Sequence, residues 1–182
     1  MKRSDKFIEW MKDWFVYESM TDPKTGQTQL YRFYPLPTRR VAINVMYWDY
    51  DGGHHNHLWS FFSVILYGGY TEQFLHRKDR KRGPLSIGYI GSDKFHTLQL
   101  YTDVNISLMI RGKQRRPWIQ YMIDGVLTNE AKYWKSRGYT KLEMLESLQG
   151  HYPRKWKLPL FIKKKVDKHI NAFDKEKHKK KA

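Results

Sequence analysis

"DGGHHNHLWSFFSVILYGGYTEQF", residues Asp51–Phe74, is the stretch on which the reading of this chain turns. The chain holds eight histidines in 182 residues, and three of them (His54, His55 and His57) stand here within four positions. Residues two apart on an extended segment point the same way, so His55 and His57 can converge on one point while His54 faces away. "SFFSVILY" then reads as a buried strand, and Gly68-Gly69 as a two-residue turn from which "YTEQFLHR" returns antiparallel. Two readings of the histidines stand side by side. Either they hold a metal, or they form the polar rim of an ordinary β-sandwich and bond to backbone. A metal needs a third ligand from elsewhere, and His96, at the start of a strand in "GSDKFHTLQL", suits that role.

Working outward, the bulk properties narrow the class. The length suits one domain with a proper core. An aromatic share of 16% and short apolar runs separated by Gly, Asn and Asp point to an all-β domain. No apolar run is long enough to span a membrane as a helix, and the N-terminus lacks the pattern of a secretory signal. Absent signals point to the cytoplasm. With no cysteine there is no disulfide, thiolate nucleophile or thiolate-bound zinc. The net charge of +16 is uneven, since residues 151–182 hold 12 Lys/Arg against 3 Asp/Glu. Such a tail either keeps the chain soluble or attracts phosphate, in nucleic acid or another anionic partner, or an acidic protein.

Local patterns supply the elements. "SDKFIEWMKDWF" carries one apolar helical face behind Ser4 as N-cap. "FVYESMTDPKTGQTQLYRFYPL" reads as a hairpin around Asp-Pro-Lys-Thr-Gly, and "RRVAINVMYWDY" as the next strand. "KDRKRGP" reads as a charged loop, followed by strands "LSIGYIG" and "FHTLQLY" and a hairpin made of "NISLMIRG" and "PWIQYMI". Thr128 can cap a short helix ending at Gly138. Thr140 and Glu143 form a capping box for another that Gly150 stops. Ile162, Val166, Ile170 and Phe173 lie on one face of a final basic helix. The expected organisation is an N-terminal helix at 1–14, a β-barrel at 15–127, and a helical C-terminal extension with a basic tail at 128–182.

The run "HNHLWSFFSVILYGG", with the lone histidine of "IGSDKFH" some forty residues later, resembles the two motifs of the cupin superfamily. The likeness covers roughly residues 38–125. It is nearer to small cupin-like proteins of phage or bacterial origin, which share the run around "GGYTE" and an element like "SLMIRGKQRRPWIQY". It implies a double-stranded β-helix (a jelly-roll barrel) with helical extensions, in a bacterial or phage-infected cell. It also implies a divalent metal on His55, His57 and His96. Three imidazoles suit Fe²⁺, as in the distantly similar three-histidine thiol dioxygenases, while Zn²⁺, Mn²⁺, Ni²⁺ or Co²⁺ also fit. Cupins include enzymes, storage proteins and plain binding modules, so the resemblance leaves catalysis open.

The chain departs from the motif where many cupins carry a glutamate ligand, because Phe61 and Phe62 stand there. A tight hairpin at Gly68-Gly69 pairs Ile65 with Glu72, leaving Glu72 about 16 Å from the start of the strand. The same register sets His76 opposite Phe61, which makes His76 the candidate for a fourth ligand or a supporting group. Arg111, Tyr70, Tyr101 and Gln99 are candidates to line a pocket for a small polar substrate. The bland alternatives are a solvent-facing strand end for Arg111 and ordinary packing for the tyrosines, as for Trp48, Trp59 and Trp118. Lys163, Lys164, Lys165 and Lys168, with Arg115 and Arg116, form a candidate patch for nucleic acid or an acidic partner. The competing functions are thus a metal-dependent, oxygenase-like cupin and a non-catalytic binding or assembly module. A sugar-epimerase-like isomerase without metal ranks third. Homodimerisation through sheet edges would protect exposed strands.

Overall fold

The structure, a computed structural model, describes residues 3–36, 39–47, 53–117, 119–140, 143, 148–151 and 153–154. Helix α1 (Arg3–Trp14) opens the chain. The strands that follow are β1 (Val16–Thr21), β2 (Thr28–Tyr34), β3 (Val41–Met46), β4 (His54–His55), β5 (Trp59–Tyr67), β6 (Tyr70–Phe74) and β7 (Arg77–Arg82). Next come β8 (Ile87–Ile90), β9 (His96–Leu100), β10 (Asn105–Gln114), β11 (Gln120–Ile123) and β12 (Val126–Asn129). Helix α2 (Glu130–Ser136) and strand β13 (Leu148–His151) complete the described elements.

All pairings are antiparallel and form two sheets, ordered β13-β1-β2-β3-β10-β5-β8 and β12-β11-β4-β9-β6-β7. Within them, β3-β10-β5-β8 and β4-β9-β6-β7 are the two four-stranded halves of a jelly roll, in which successive strands from β3 to β10 alternate between sheets except for the β6–β7 hairpin. The cupin-like fold expected from the histidine motif is therefore the fold that forms. It is extended on one side by β1, β2 and β13. No helix among the described residues is long and apolar enough to cross a membrane.

Alternation along the strands builds two cores. Outside the first sheet, Ile8 and Met11 of α1 cluster with Phe33 and Val45, so the amphipathic N-terminal helix covers the β2–β3 half of that face. Farther along the same face Phe62, Ile87, Tyr89 and Ile110 remain exposed. Between the sheets, Tyr34, Ala42, Phe61, Ile90 and Met109 pack together. Beside them lie buried polar groups: Asn44, His55, Ser63, Glu72, Arg82 and His96.

Several local expectations are corrected. Gly68-Gly69 does not close a hairpin, because β5 and β6 belong to different sheets. Gly68 has φ +70°, and a Cβ there would stand 2.1 Å from the Val104 carbonyl oxygen. The Gly69 amide donates to Thr102 Oγ1 at 3.0 Å. The pair is a corner between layers, held against the β9–β10 connection. "NISLMIRG" and "PWIQYMI" likewise fall in opposite sheets, as β10 and β11. "KDRKRGP" is largely strand β7, an edge strand whose exposed charges discourage pairing with another chain.

At the helices, α1 begins at Arg3, so Ser4 lies inside it. Asn129 rather than Thr128 caps α2, accepting the Lys132 amide at 2.9 Å. The capping box forms: the Thr140 amide donates to Glu143 Oε2 at 2.7 Å, and the Glu143 amide to Thr140 Oγ1 at 3.2 Å. Gly150 stops no helix there but sits in β13, paired with Glu18. The basic segment carrying Ile162, Val166, Ile170 and Phe173 lies outside the described residues.

The corner can be tested against an ordinary turn. Gly125, between β11 and β12, has φ +78° with no atom within 4 Å of an added Cβ. Gly125→Ala should lower the unfolding free energy by about 1 kcal/mol, the strain of a left-handed residue alone. Gly68→Ala adds a backbone clash and should lower it by about 3 kcal/mol, read from urea denaturation midpoints at unchanged slope.

Candidate metal centre

The centre is assembled by the second sheet. His55 on β4 stands directly opposite His96 on β9, a cross-strand pair that brings two imidazoles together. His57 follows two residues after His55, past the end of β4. Asn56 fixes the intervening link and is fully buried: its amide nitrogen Nδ2 donates to Gln120 Oε1 at 2.9 Å, and its Oδ1 accepts the Gln120 backbone amide at 2.8 Å. With that clamp in place, the three rings of His55, His57 and His96 each offer a ligand atom, all within 4.8 Å of one another. His54, as expected, is not a member of the group.

The hydrogen-bond partners orient the rings. His55 Nδ1 faces the Gly53 carbonyl at 3.3 Å, so Nδ1 carries the proton and Nε2 the lone pair. His96 Nδ1 faces Glu72 Oε1 at 2.9 Å. A carboxylate accepts, so this nitrogen too is the N–H, and Nε2 turns inward. There His96 Nε2 lies 2.6 Å from His57 Nε2, two nitrogens that must share a proton unless a cation takes its place. Burial pushes His55 down to about 3 and, with the neighbouring His55 and His96, holds His57 well below its ordinary value. Both rings are therefore neutral donors near pH 7. Phe61 meets His57 edge-on at 4.9 Å and Phe74 stacks on His96 at 6.1 Å, an apolar collar around the nitrogens.

Glu72 is the residue that the sequence reading set aside. It is 1% exposed, and its second oxygen accepts from Arg80 Nη2 at 3.0 Å with Arg82 Nη1 4.0 Å away. Burial works to raise its pKa, but the bonds from His96 and the arginines overcome that, and the net shift is downward. Arg82, 2% exposed, reaches across the sandwich to Ser63 Oγ at 3.0 Å, Tyr70 OH at 3.1 Å, and the carbonyls of Ser63 and Ser86 at 3.0 and 3.2 Å. Gly88 makes room for it, since a Cβ there would lie 2.3 Å from Arg82 Nη1. Carboxylate, histidine and ring nitrogen thus form the relay that orients metal-ligating imidazoles in general. The donor set fits a divalent ion: three converging imidazoles, with the Nδ1–H of His55 committed to a carbonyl and that of His96 to a carboxylate.

The other predicted residues are dispersed. His76 is exposed in the β6–β7 turn, outside the histidine group, because the register that set it opposite Phe61 does not form. The supporting group at His96 is Glu72. Arg111 pairs with Phe61 across the first sheet, stacks on Trp59 4.4 Å from the ring centroid and lies over Tyr34 at 5.5 Å, and donates to the Arg39 carbonyl. Tyr70 is a buried partner of Arg82, and Tyr101 OH donates to the Arg82 carbonyl at 2.7 Å. Gln99 is exposed and meets Gln73. Arg115 is exposed, whereas Arg116 is half-buried and donates to Gln120 Oε1 at 3.1 Å. Lys163, Lys164, Lys165 and Lys168 lie outside the described residues, as do Trp48 and Trp118.

No protein-family model matches the chain, and neither does any curated protein sequence. Among solved structures, the DMSP lyase DddQ from Ruegeria pomeroyi DSS-3 aligns at 16% identity and a TM-score of 0.39, covering 44% of this chain and 41% of the lyase. An RmlC-like cupin family protein with a double-stranded β-helix fold from Methanocaldococcus jannaschii aligns at 13% identity and a TM-score of 0.36, covering 46% and 77%. FeII HppE aligns at 9% identity and a TM-score of 0.39, covering 47% and 50%. The chain spans less than half the length of the lyases it matches.

The relay yields a direct test in metal-free protein. Ring ¹⁵N spectra should show His96 as a single Nδ1–H tautomer, and Glu72→Gln should give mixed tautomers. The same change leaves Arg82 with less compensation in the interior and should lower the unfolding free energy by about 2–3 kcal/mol.

Proposed function

We propose that this protein is a metal-dependent cupin whose His55, His57 and His96 hold one divalent ion, Fe²⁺ in preference to Zn²⁺, Mn²⁺, Ni²⁺ or Co²⁺. The observation that carries the reading is the convergence of three imidazoles with His96 anchored by a buried carboxylate. A structural polar rim needs neither the convergence nor the anchor. Once bound, the ion would supply a Lewis acid or a place for dioxygen to bind, acting on a small polar substrate.

The chain's own part is to hold and to exclude. Glu72 fixes the His96 ring and its proton, and Asn56 fixes the span between His55 and His57. Phe61 and Phe74 keep the metal-facing nitrogens dry, which strengthens every electrostatic contact made there. Arg80 and Arg82 offset the charge of Glu72, so that it remains an acceptor in the interior.

Elemental analysis of untagged protein purified without chelator should find close to one equivalent of metal per chain. The His55→Ala/His57→Ala double variant should hold none while keeping its β-sheet circular dichroism. Glu72→Gln should retain the site but weaken metal affinity by about 10- to 100-fold in competition titrations. Absence of metal from the wild type, even after anaerobic Fe²⁺ loading, would refute the reading.

A further inference from the structure

A cleft of about 700 Å³ opens at the uncapped side of the jelly roll, where edge strand β7 of one sheet approaches edge strand β8 of the other. Its volume is in the range of small-molecule sites. Its walls carry Arg77, Lys78 and Arg80 from β7, Lys94 from the β8–β9 loop, and Arg115 from beyond β10. One carboxylate lines it, that of Asp93, and this is taken up by Lys94 at 2.8 Å. Among the described residues, Arg77, Lys78 and Arg115 have no ion-pair partner. Three unpaired cations directed at one concavity repel each other, and an anion is what relieves the repulsion. Phe74 and Tyr89 add apolar surface, which suits an organic moiety carrying the charge.

The cleft shares two residues with the histidine centre. Phe74 lines the cleft and stacks on His96. Arg80 lines the cleft and donates to Glu72, whose other oxygen holds His96. An anion drawing on the Arg80 guanidinium competes with Glu72 for it, and the change reaches His96 through one carboxylate.

We propose that this cleft binds a compact small molecule bearing two or more phosphoryl or carboxylate groups, and that Arg80 passes its occupancy to the histidine centre. The proposal stands on the cleft and does not need the metal, so it is tested on the full-length protein stripped of metal.

Calorimetric titration with inorganic pyrophosphate at low salt should give one site with a Kd on the order of 10–100 µM. The Arg77→Ala/Lys78→Ala and Arg115→Ala variants should each weaken it by about tenfold, as expected for charge-assisted hydrogen bonds. Lys132→Ala, on the helix packed against β11 and β12 at the opposite edge of the second sheet, should stay within about twofold. Pyrophosphate should also shift the ring ¹⁵N resonances of His96. A tricarboxylate titrated in parallel separates a phosphoryl-selective site from a general polyanion site, and saturable binding of either supports the proposal. No saturable binding, or equal weakening by Lys132→Ala, overturns it. So does binding only to single-stranded DNA with a steep salt dependence, which would make the patch a nucleic-acid surface. Binding that leaves His96 unmoved overturns the role given to Arg80.

Discussion

The carboxylate of Glu72 is the constraint on which the interior of this barrel depends. An ionised carboxylate without partners is very unfavourable in an apolar interior. Here it is held by three groups from two strands: His96 on β9, and Arg80 and Arg82 on β7. Charge therefore changes stepwise across four adjacent strands. Neutral imidazole on β4 meets imidazole on β9, then carboxylate on β6, then guanidinium on β7. Remove the carboxylate, and the buried Arg82 loses its nearest counter-charge while His96 loses what fixes its ring. One residue thus links fold stability to the readiness of the centre.

Much of this was legible in the sequence. Short apolar runs and Gly/Asn/Asp turns are local signals, and they located most strands. His55, His57 and His96 could be grouped because a two-residue spacing on extended chain is a geometric fact. Their likeness to a known motif supplied the third member. What the sequence hid was which sheet each strand joins. Gly68-Gly69 has the composition of a two-residue hairpin turn, and hairpin and corner differ only in tertiary partners: the Val104 carbonyl and the Thr102 hydroxyl, more than thirty residues away. Treating the corner as a hairpin removed Glu72 from the site and moved His76 toward it.

Strand β7 is hidden in the sequence for a related reason. Arg77–Arg82 is all charge, which reads as solvated loop by composition. At a sheet edge, however, one side of the strand is solvent, and a charged sequence is what keeps that edge from pairing with another molecule. Register adds the rest. Arg80 falls opposite Glu72 and Arg82 opposite Tyr70, so two of the strand's five basic residues join the interior network while Arg77 and Lys78 line the cleft. No count of charges distinguishes these roles.

The same geometry bears on how a metal site sits inside so basic a protein. A cation entering a chain of net charge +16 meets long-range repulsion. His55 and His57 reduce it locally by being neutral, and Glu72 contributes a negative charge beside His96. Arg80 opposes that benefit, since it shares the carboxylate. An anion bound in the cleft would draw Arg80 outward and leave more of the Glu72 charge to His96. The affinity of the centre for a cation and of the cleft for an anion should then favour each other, and by linkage they must do so equally in both directions.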